Sequence, residues 1–431
     1  MRVLVVGSGG REHVLVWRLA QDGASHNLHA APGNPGIASL AACDAVDPTD
    51  LPALVALADR LRPDLTIVGP EAPLAAGIVD AFRRQGHRIF GPAQRAARLE
   101  SSKIFAKRIM VRYGVPTAAF ESFDRPDDAL DYIRRADRPV VVKADGLAAG
   151  KGVVVADTAL EAEEAVAAMM LRRVHGAAGA RVVIEERLDG REASVLAFVH
   201  GTRVWPLLPA QDHKRVFDGD RGPNTGGMGA VAPAPLAPAL AAHVVDEILE
   251  PVAAAMVSEG RPYSGVLYAG IMVTSDGPQV LEFNCRFGAP EAQVILPLLE
   301  GDLAQALVDV LDGREPDLGW SGDAAVCVVL ASAGYPGPYA TGRPIAGLDR
   351  IPSGVLTFHA GTAVRDGVLV TGGGRVLNVV GSGMNLERAR ERAYAGVSAL
   401  AFDGMQFRSD IGAAAMDRKA APAEPAGRGA R

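Results

Sequence analysis

PVVVKADGLAAGKGVVVAD, residues 139–157, sets two valine runs on either side of a glycine-rich loop that carries a lysine. A Walker loop reads G-x-x-x-x-G-K-[ST] and hands over to a helix. Here GLAAGKG, residues 146–152, is one residue short, Gly152 replaces the hydroxyl residue, and valines follow. β-Branched runs on both sides make the segment a β-hairpin rather than a strand-to-helix phosphate loop. Taken alone, its tip is equally well a plain glycine turn with a solvated lysine or a lid that closes over phosphates. The neighbouring segments break the tie. Lys143 lies inside the first valine run, where an ammonium facing the sheet interior needs an anionic partner. Downstream, RVVIEERLDGRE, residues 181–192, gathers Glu185, Leu188 and Glu192 about a strand end, where carboxylates and backbone groups suit a base and a ribose. LEFNCRFG, residues 281–288, puts Glu282 and Asn284 two apart on one strand and so on one face, as hard oxygen ligands of the kind magnesium takes beside phosphates.

Working outward, the first residues repeat a strand, glycine turn and helix pattern. The apolar run 2–6 precedes Gly7-Ser8-Gly9-Gly10 and a helix, and the runs at 28–31, 65–68 and 88–90 each end in a glycine-proline turn. Unalternating strands interleaved with helices predict a parallel α/β domain over residues 1–100. The GSGG turn is not a dinucleotide fingerprint, because Glu12 takes the third glycine place and the second strand ends without an acid for a ribose hydroxyl. It is either a bare tight turn or a simple phosphate cradle at a helix N-terminus.

Residues 101–192 read as a linker helix and a small α+β lobe, and 193–323 as a second lobe with a long loop, DHKRVFDGDRGPNTGGMG. A loop of that length inside a compact domain is usually functional. Residues 324–418 become strands and tight turns closed by a helix, in which Leu386, Ala389, Ala393, Val397 and Leu400 form one apolar stripe with Asn385 as its cap. Residues 419–431 mix Pro, Gly, Ala and charge without periodicity and read as a flexible tail.

The totals agree with a multidomain folded chain of small-molecule chemistry. At 431 residues several cores are needed. A net charge of −6 argues against a broad nucleic-acid surface. Three widely spaced cysteines give neither a disulfide framework nor a zinc spacing, which suits a reducing cytoplasm, and the short initial apolar run is neither a membrane span nor a signal peptide.

VLVVGSGGREH, APGNPG, LTIVGPEAPL, KADGLAAGKGVVVA, QDHKRV, GPNTGGMGA and LEFNCRFG together resemble the ATP-grasp superfamily and, within it, the phosphoribosylamine-glycine ligase (glycinamide ribonucleotide synthetase) family; TFHAGT and GGRVLNV also fit. The resemblance implies a two-lobed ATP-grasp core between the N-terminal α/β domain and a small β-rich C-terminal domain. It implies ATP-dependent ligation of glycine to 5-phosphoribosylamine through glycyl phosphate, with magnesium, or manganese in its place. Lys103, Lys143 and the loop residues Gly146, Gly150, Lys151 and Gly152 would meet the ATP phosphates, Glu185, Leu188 and Glu192 the adenosine, and Glu282 and Asn284 the metal. The substrates would lie among Gly9, Gly10, Asn34, Glu71, Asp212, Lys214, Asn224, Thr225, Gly226 and Arg286, with Lys143 and Arg286 as the catalytic cations. His213, inside a polar loop, is more often structural than substrate-binding. The family's N-x-R-F-G-D-P-E motif carries Ala289 here in place of its aspartate, which belongs either to a helix cap or to the substrate site. Two other readings stay open, a different ATP-grasp ligase or carboxylase and a nucleotide-binding homologue without turnover. The expected partners are small molecules, with no nucleic acid or membrane, for a cytoplasmic monomer or weak homodimer.

Overall fold

β1 (Arg2–Gly7), β2 (Asn27–Pro32), β3 (Ala42–Cys43), β4 (Leu65–Val68) and β5 (Ile89–Phe90) form an all-parallel sheet in the order β3-β2-β1-β4-β5. They belong to a computed structural model that describes residues 1–416 apart from Ala24, Asp137 and Ala149. The unalternating apolar runs are explained by burial on both faces. Val3 and Val5 enter one core and Leu4 and Val6 another. The chain reverses direction across the sheet between β1 and β4, so the turns after both strands, Ser8-Gly9 and Pro70-Glu71, open onto one crevice.

Ser102 caps the helix Lys103–Tyr113 by accepting from the Phe105 N–H at 3.2 Å, and Gly114, at φ 71°, ends it. Next, β6 (Phe120–Phe123), β7 (Val140–Ala144), β8 (Val153–Ala156) and β9 (Val182–Glu186) make an antiparallel sheet in the order β6-β9-β7-β8. Val140 and Val142 pack against the helices Pro126–Ala136 and Ala159–Val166, which leaves Val141 and Lys143 for the opposite face. Residues 146–148 and 150–152 lie between the paired strands β7 and β8.

The second lobe is built on β10 (Arg191–His200), β11 (Arg203–Pro206) and two later strands. Between them the segment expected to be a long loop carries β12 (Gln211–Asp212), the hairpin β13 (Arg215–Phe217) with β14 (Arg221–Asn224), and β15 (Gly229–Ala232). β16 (Ser264–Thr274) and β17 (Gly277–Asn284) complete the sheet β11-β10-β16-β17, backed by helices over residues 238–258. A small ladder of β18 (Leu299–Glu300) and β19 (Gly319–Trp320) follows.

The last sheet holds β20 (Ala324–Ser332), β21 (Val355–His359), β24 (Arg375–Gly383) and β25 (Met405–Gln406), with β22 (Thr362–Arg365) and β23 (Val368–Thr371) as a separate hairpin. Its order is β12-β15-β20-β24-β21, so two strands from the middle of the chain extend it. The helix Leu386–Ala399 starts as expected, with the Asn385 side chain accepting from the Arg388 N–H at 2.9 Å, and buries Ala389, Ala393 and Val397 against the sheet. The tail expected over 419–431 lies outside the described residues. Among the described residues no helix is long and apolar enough to cross a membrane.

Candidate active site

The four main sheets meet at a cavity of about 870 Å³, within the size range of small-molecule sites. β7 and the helix Lys103–Tyr113 bring basic groups to one end of it, opposite the acidic and amide side chains of β17. The Lys143 ammonium donates to Glu185 Oε2 and to the Leu281 carbonyl, each at 2.9 Å, and Lys107 lies 3.1 Å from the same carboxylate oxygen. The anionic partner that Lys143 requires is therefore Glu185, almost wholly buried, whose Oε1 has no hydrogen-bond partner among the described residues. Burial lowers the Lys107 ammonium, Glu185 raises it and Lys143 lowers it again, leaving it at about 8. Sequence reasoning missed Lys107, although its spacing of four from Lys103 puts both on one helix face. Lys103 reaches Glu282 Oε2 at 3.3 Å. Burial alone would push the Glu282 carboxyl up, but Lys103, Lys214 and Lys143 outweigh it and hold it at about 2. Glu282 therefore stays ionised and, with Asn284 on the same strand and cavity wall, offers hard oxygen donors that fit a divalent cation. Val141, Val155, Leu188, Met272 and Leu281 add an apolar wall beside these charges.

The other end is lined from four segments. Arg286, after β17, is 2.8 Å from Glu100 and 3.4 Å from Glu71. Burial would raise the Glu71 carboxyl, but Arg286 and then Arg11 bring it to about 2. Lys214 sits 2.8 Å from Asp212 and 3.0 Å from Glu192. Burial lifts the Asp212 carboxyl to about 7, with Lys214 opposing and Glu291 and Glu192 adding to the rise. Asn224, Thr225 and Gly226 close this side, and the Thr225 hydroxyl donates to the Lys214 carbonyl at 2.7 Å. Arg375, on β24, clamps that loop by donating to the carbonyls of Gly226 and, at 2.8 Å, Ala289. Only the GGRVLNV motif hinted at Arg375, and a single arginine there carries no spacing signal.

In the first turn, the Glu12 carboxylate accepts from the Gly9 N–H at 2.5 Å and fills the space beside Gly7 and Gly69, where a Cβ would come within 2.5 Å of its side chain. The residue that excludes a dinucleotide fingerprint thus occupies the turn itself and takes one of its amides. Gly9 and Gly10 still line the cavity.

Of the residues expected at the site, Gly146, Gly150, Gly152, Glu185, Leu188 and Glu192 line the cavity. Asn34 and Lys151 do not line it. Asn34 is held within the fold: its amide donates to the carbonyls of Ser8 and His359, and its oxygen accepts from the N–H groups of Gly36 and Ile37. Asn34→Ala is expected to cost roughly 2–3 kcal/mol in denaturant unfolding, because buried partners on two domains lose their bonds, with KM values little changed. Lys151 is exposed and donates to the Pro336 carbonyl. Burial and then Arg408 lower the His213 imidazole to about 4, so it is a neutral ring, and it does not line the cavity. The helix after Ala289 is capped by Pro290, so a side chain at 289 would not be its N-cap; Ala289 lines the cavity. Elsewhere Asp22, His26 and Asp302 bring ligand-type atoms within 4.8 Å of one another, but Asp22 pairs with Arg18 and accepts from the Leu303 and Ala304 N–H groups.

Three family models match successive parts of the chain: phosphoribosylglycinamide synthetase N domain over residues 1–100, its ATP-grasp (A) domain over 101–292 and its C domain over 325–414. A phosphoribosylamine-glycine ligase of Halalkalibacterium halodurans is 49% identical over 97% of this chain and 98% of that protein. One from Brucella melitensis is 48% identical over 98% of this chain and all of its own length. The crystal structure of phosphoribosylamine-glycine ligase from Thermotoga maritima superposes with a TM-score of 0.83 at 35% identity, covering 95% of this chain and 100% of that one. The biotin carboxylase domain of Hydrogenobacter thermophilus 2-oxoglutarate carboxylase, at 16% identity, TM-score 0.73 and coverage of 94% and 91%, shares the fold alone.

Proposed function

The chain belongs to the phosphoribosylglycinamide synthetase family, and from that premise we propose that it joins glycine to 5-phosphoribosylamine at the expense of ATP. What carries the reading is that one cavity holds Lys103, Lys143, Glu282 and Asn284 at one end and Arg286, Asp212, Lys214 and residues 224–226 at the other. Lys103 and Lys143 hold the ATP phosphates, and the apolar wall with Leu188, Glu185 and Glu192 holds adenosine. A glycine carboxylate oxygen, oriented by Arg286, bonds to the γ-phosphorus as the bond to the β-bridging oxygen breaks and ADP leaves. The amine of phosphoribosylamine then attacks the glycyl carbonyl, the carbon–oxygen bond to phosphate breaks, and the nitrogen loses a proton. No protein nucleophile is needed. A divalent ion on Glu282 and Asn284, magnesium or manganese, supplies positive charge to the phosphoryl oxygens when bound. The hairpin loop excludes water from the acyl phosphate.

The domain limits 1–100, 101–192, 193–323 and 324–418, small-molecule partners without nucleic acid or membrane, a cytoplasmic site of action and a monomer or weak homodimer complete the proposal. The deciding assay is ADP release: no stimulation by glycine with phosphoribosylamine generated in situ removes this reading in favour of another ATP-grasp ligase.

Asp212 faces the place where that amine must lie, and its ionisation sets an expected pH profile. A carboxyl raised to about 7 stabilises the fold most below its unfolded value and loses that contribution as pH rises through 7. Activity moves the opposite way, because only the carboxylate can accept an amine proton. The ligation rate is expected to climb through about pH 7, and Asp212→Asn to flatten that limb as well as lower it. An unchanged limb in the variant would assign it elsewhere.

A further inference from the structure

Lys151, at the tip of the β7–β8 hairpin, points away from the cavity: its ammonium donates to the Pro336 carbonyl at 2.9 Å and sits 5.8 Å above the Tyr335 ring. The Tyr335 hydroxyl, in turn, accepts from the Gly226 N–H at 3.0 Å. Tyr335 is buried and fixed, since Gln406 donates to its carbonyl at 2.9 Å and a Cβ on Gly374 would lie 2.3 Å from its ring. Both backbone groups of Gly226 are thus held by the C-terminal sheet, the N–H by Tyr335 and the carbonyl by Arg375. The hairpin tip also lies directly on this loop, for a Cβ on Gly150 would be 3.5 Å from the Thr225 carbonyl oxygen and 3.6 Å from the Gly226 Cα.

We infer that Lys151 and Tyr335 form a latch through which the hairpin lid senses the substrate loop, so that closure over the nucleotide and seating of Gly226 rise and fall together. The inference rests on the proposed roles of the hairpin and of residues 224–226. Both latch residues are positioning residues, because neither lines the cavity. The lysine contact is solvent-exposed and therefore weak, which suits an element that must release on every cycle. A lid held by its own lysine on phosphate would respond to nucleotide alone. A lid held through Tyr335 responds also to whatever occupies the loop beside Gly226. The coupling is thermodynamic and so reciprocal.

The test is hydrogen exchange of residues 146–152 in the full chain bound to AMPPNP and magnesium, with and without glycinamide ribonucleotide. In the unmodified protein the ribonucleotide is expected to slow exchange about fivefold or more. In Lys151→Met and in Tyr335→Phe that added protection should fall below about twofold, although AMPPNP alone still protects, and the double variant should lose no more than either single one. The exposed position of Lys151 makes Lys151→Met safe for folding, which a melting curve checks. In both single variants the KM values for ATP and glycine should rise together. Full ribonucleotide protection in the variants, or none in the unmodified chain, overturns the latch. Failure of the functional reading shows separately, as a chain that releases no ADP on addition of glycine and phosphoribosylamine.

Discussion

Glu282→Ala is expected to lower substrate-stimulated ADP release by about 10²–10³-fold, the effect of removing one preorganised electrostatic group from a phosphoryl-transfer site. Lys103, Lys143 and Lys214 are the charges that hold this carboxyl at about 2, so at every working pH it is an anion among cations. Its removal leaves the cavity with an excess of positive charge and no carboxylate for a divalent ion on β17. Titration of AMPPNP should then show a loss of the magnesium dependence of binding, with affinity in the metal-free case equal to or above that of the unmodified protein. The fold should survive, because Glu282 is a partly exposed strand residue whose ion-pair partner among the described residues, Lys103, can hydrate. A folded variant active within tenfold of the original would sink the metal assignment.

Lys143→Met should damage both stability and rate. The ammonium bridges β9 to β17 by way of Glu185 and the Leu281 carbonyl, and all three groups lie out of bulk water. Breaking a buried pair from one side costs about 3–5 kcal/mol, and Lys107, which stays on the same oxygen, should hold the loss near the lower figure. Denaturant unfolding measures this directly. On the proposed phosphate role of Lys143, the rate should fall at least about 10²-fold, since a cavity-lining charge is lost as well. Lys143→Arg separates the two effects: its charge can restore part of the stability, but a planar guanidinium cannot reproduce a compact ammonium between a carboxylate, a carbonyl and a phosphate. Equal recovery of rate and stability in that variant would contradict a phosphate role for Lys143.

The sequence made legible whatever depends on neighbours along the chain. The apolar runs before GSGG and GPEAPL, the valines flanking GLAAGKG and the stripe from Leu386 to Leu400 each encode a period or a turn that local sterics enforce. The Glu282 and Asn284 pair was legible for the same reason. What escaped depends on partners far away. β12 and β15 are short and without alternation, and they become strands because β20, about a hundred residues on, supplies the ladder for β15, which in turn pairs with β12. Asn34 and Lys151 stood beside telling motifs yet face the C-terminal segment, and no spacing within 31–36 or 146–152 says so. The roles of Arg375 and Tyr335 carried no spacing signal because their work is done on the backbone of Gly226, and a backbone N–H or carbonyl leaves no mark in a sequence.

The pairing of β15 with β20 bears on how such a chain can be recombined. A boundary drawn after residue 323 would cut through a hydrogen-bonded ladder, Gly229 opposite Val328 through Ala232 opposite Ala325, and would expose a strand edge on each fragment. Chimaeras exchanged with a relative must therefore carry residues 211–232 along with the C-terminal sheet as one inheritance unit, even though half of the second lobe's strands, β16 and β17, lie between them in the chain. Splitting the gene at the apparent seam would part the loop 224–226 that lines the cavity from the strand that holds the loop.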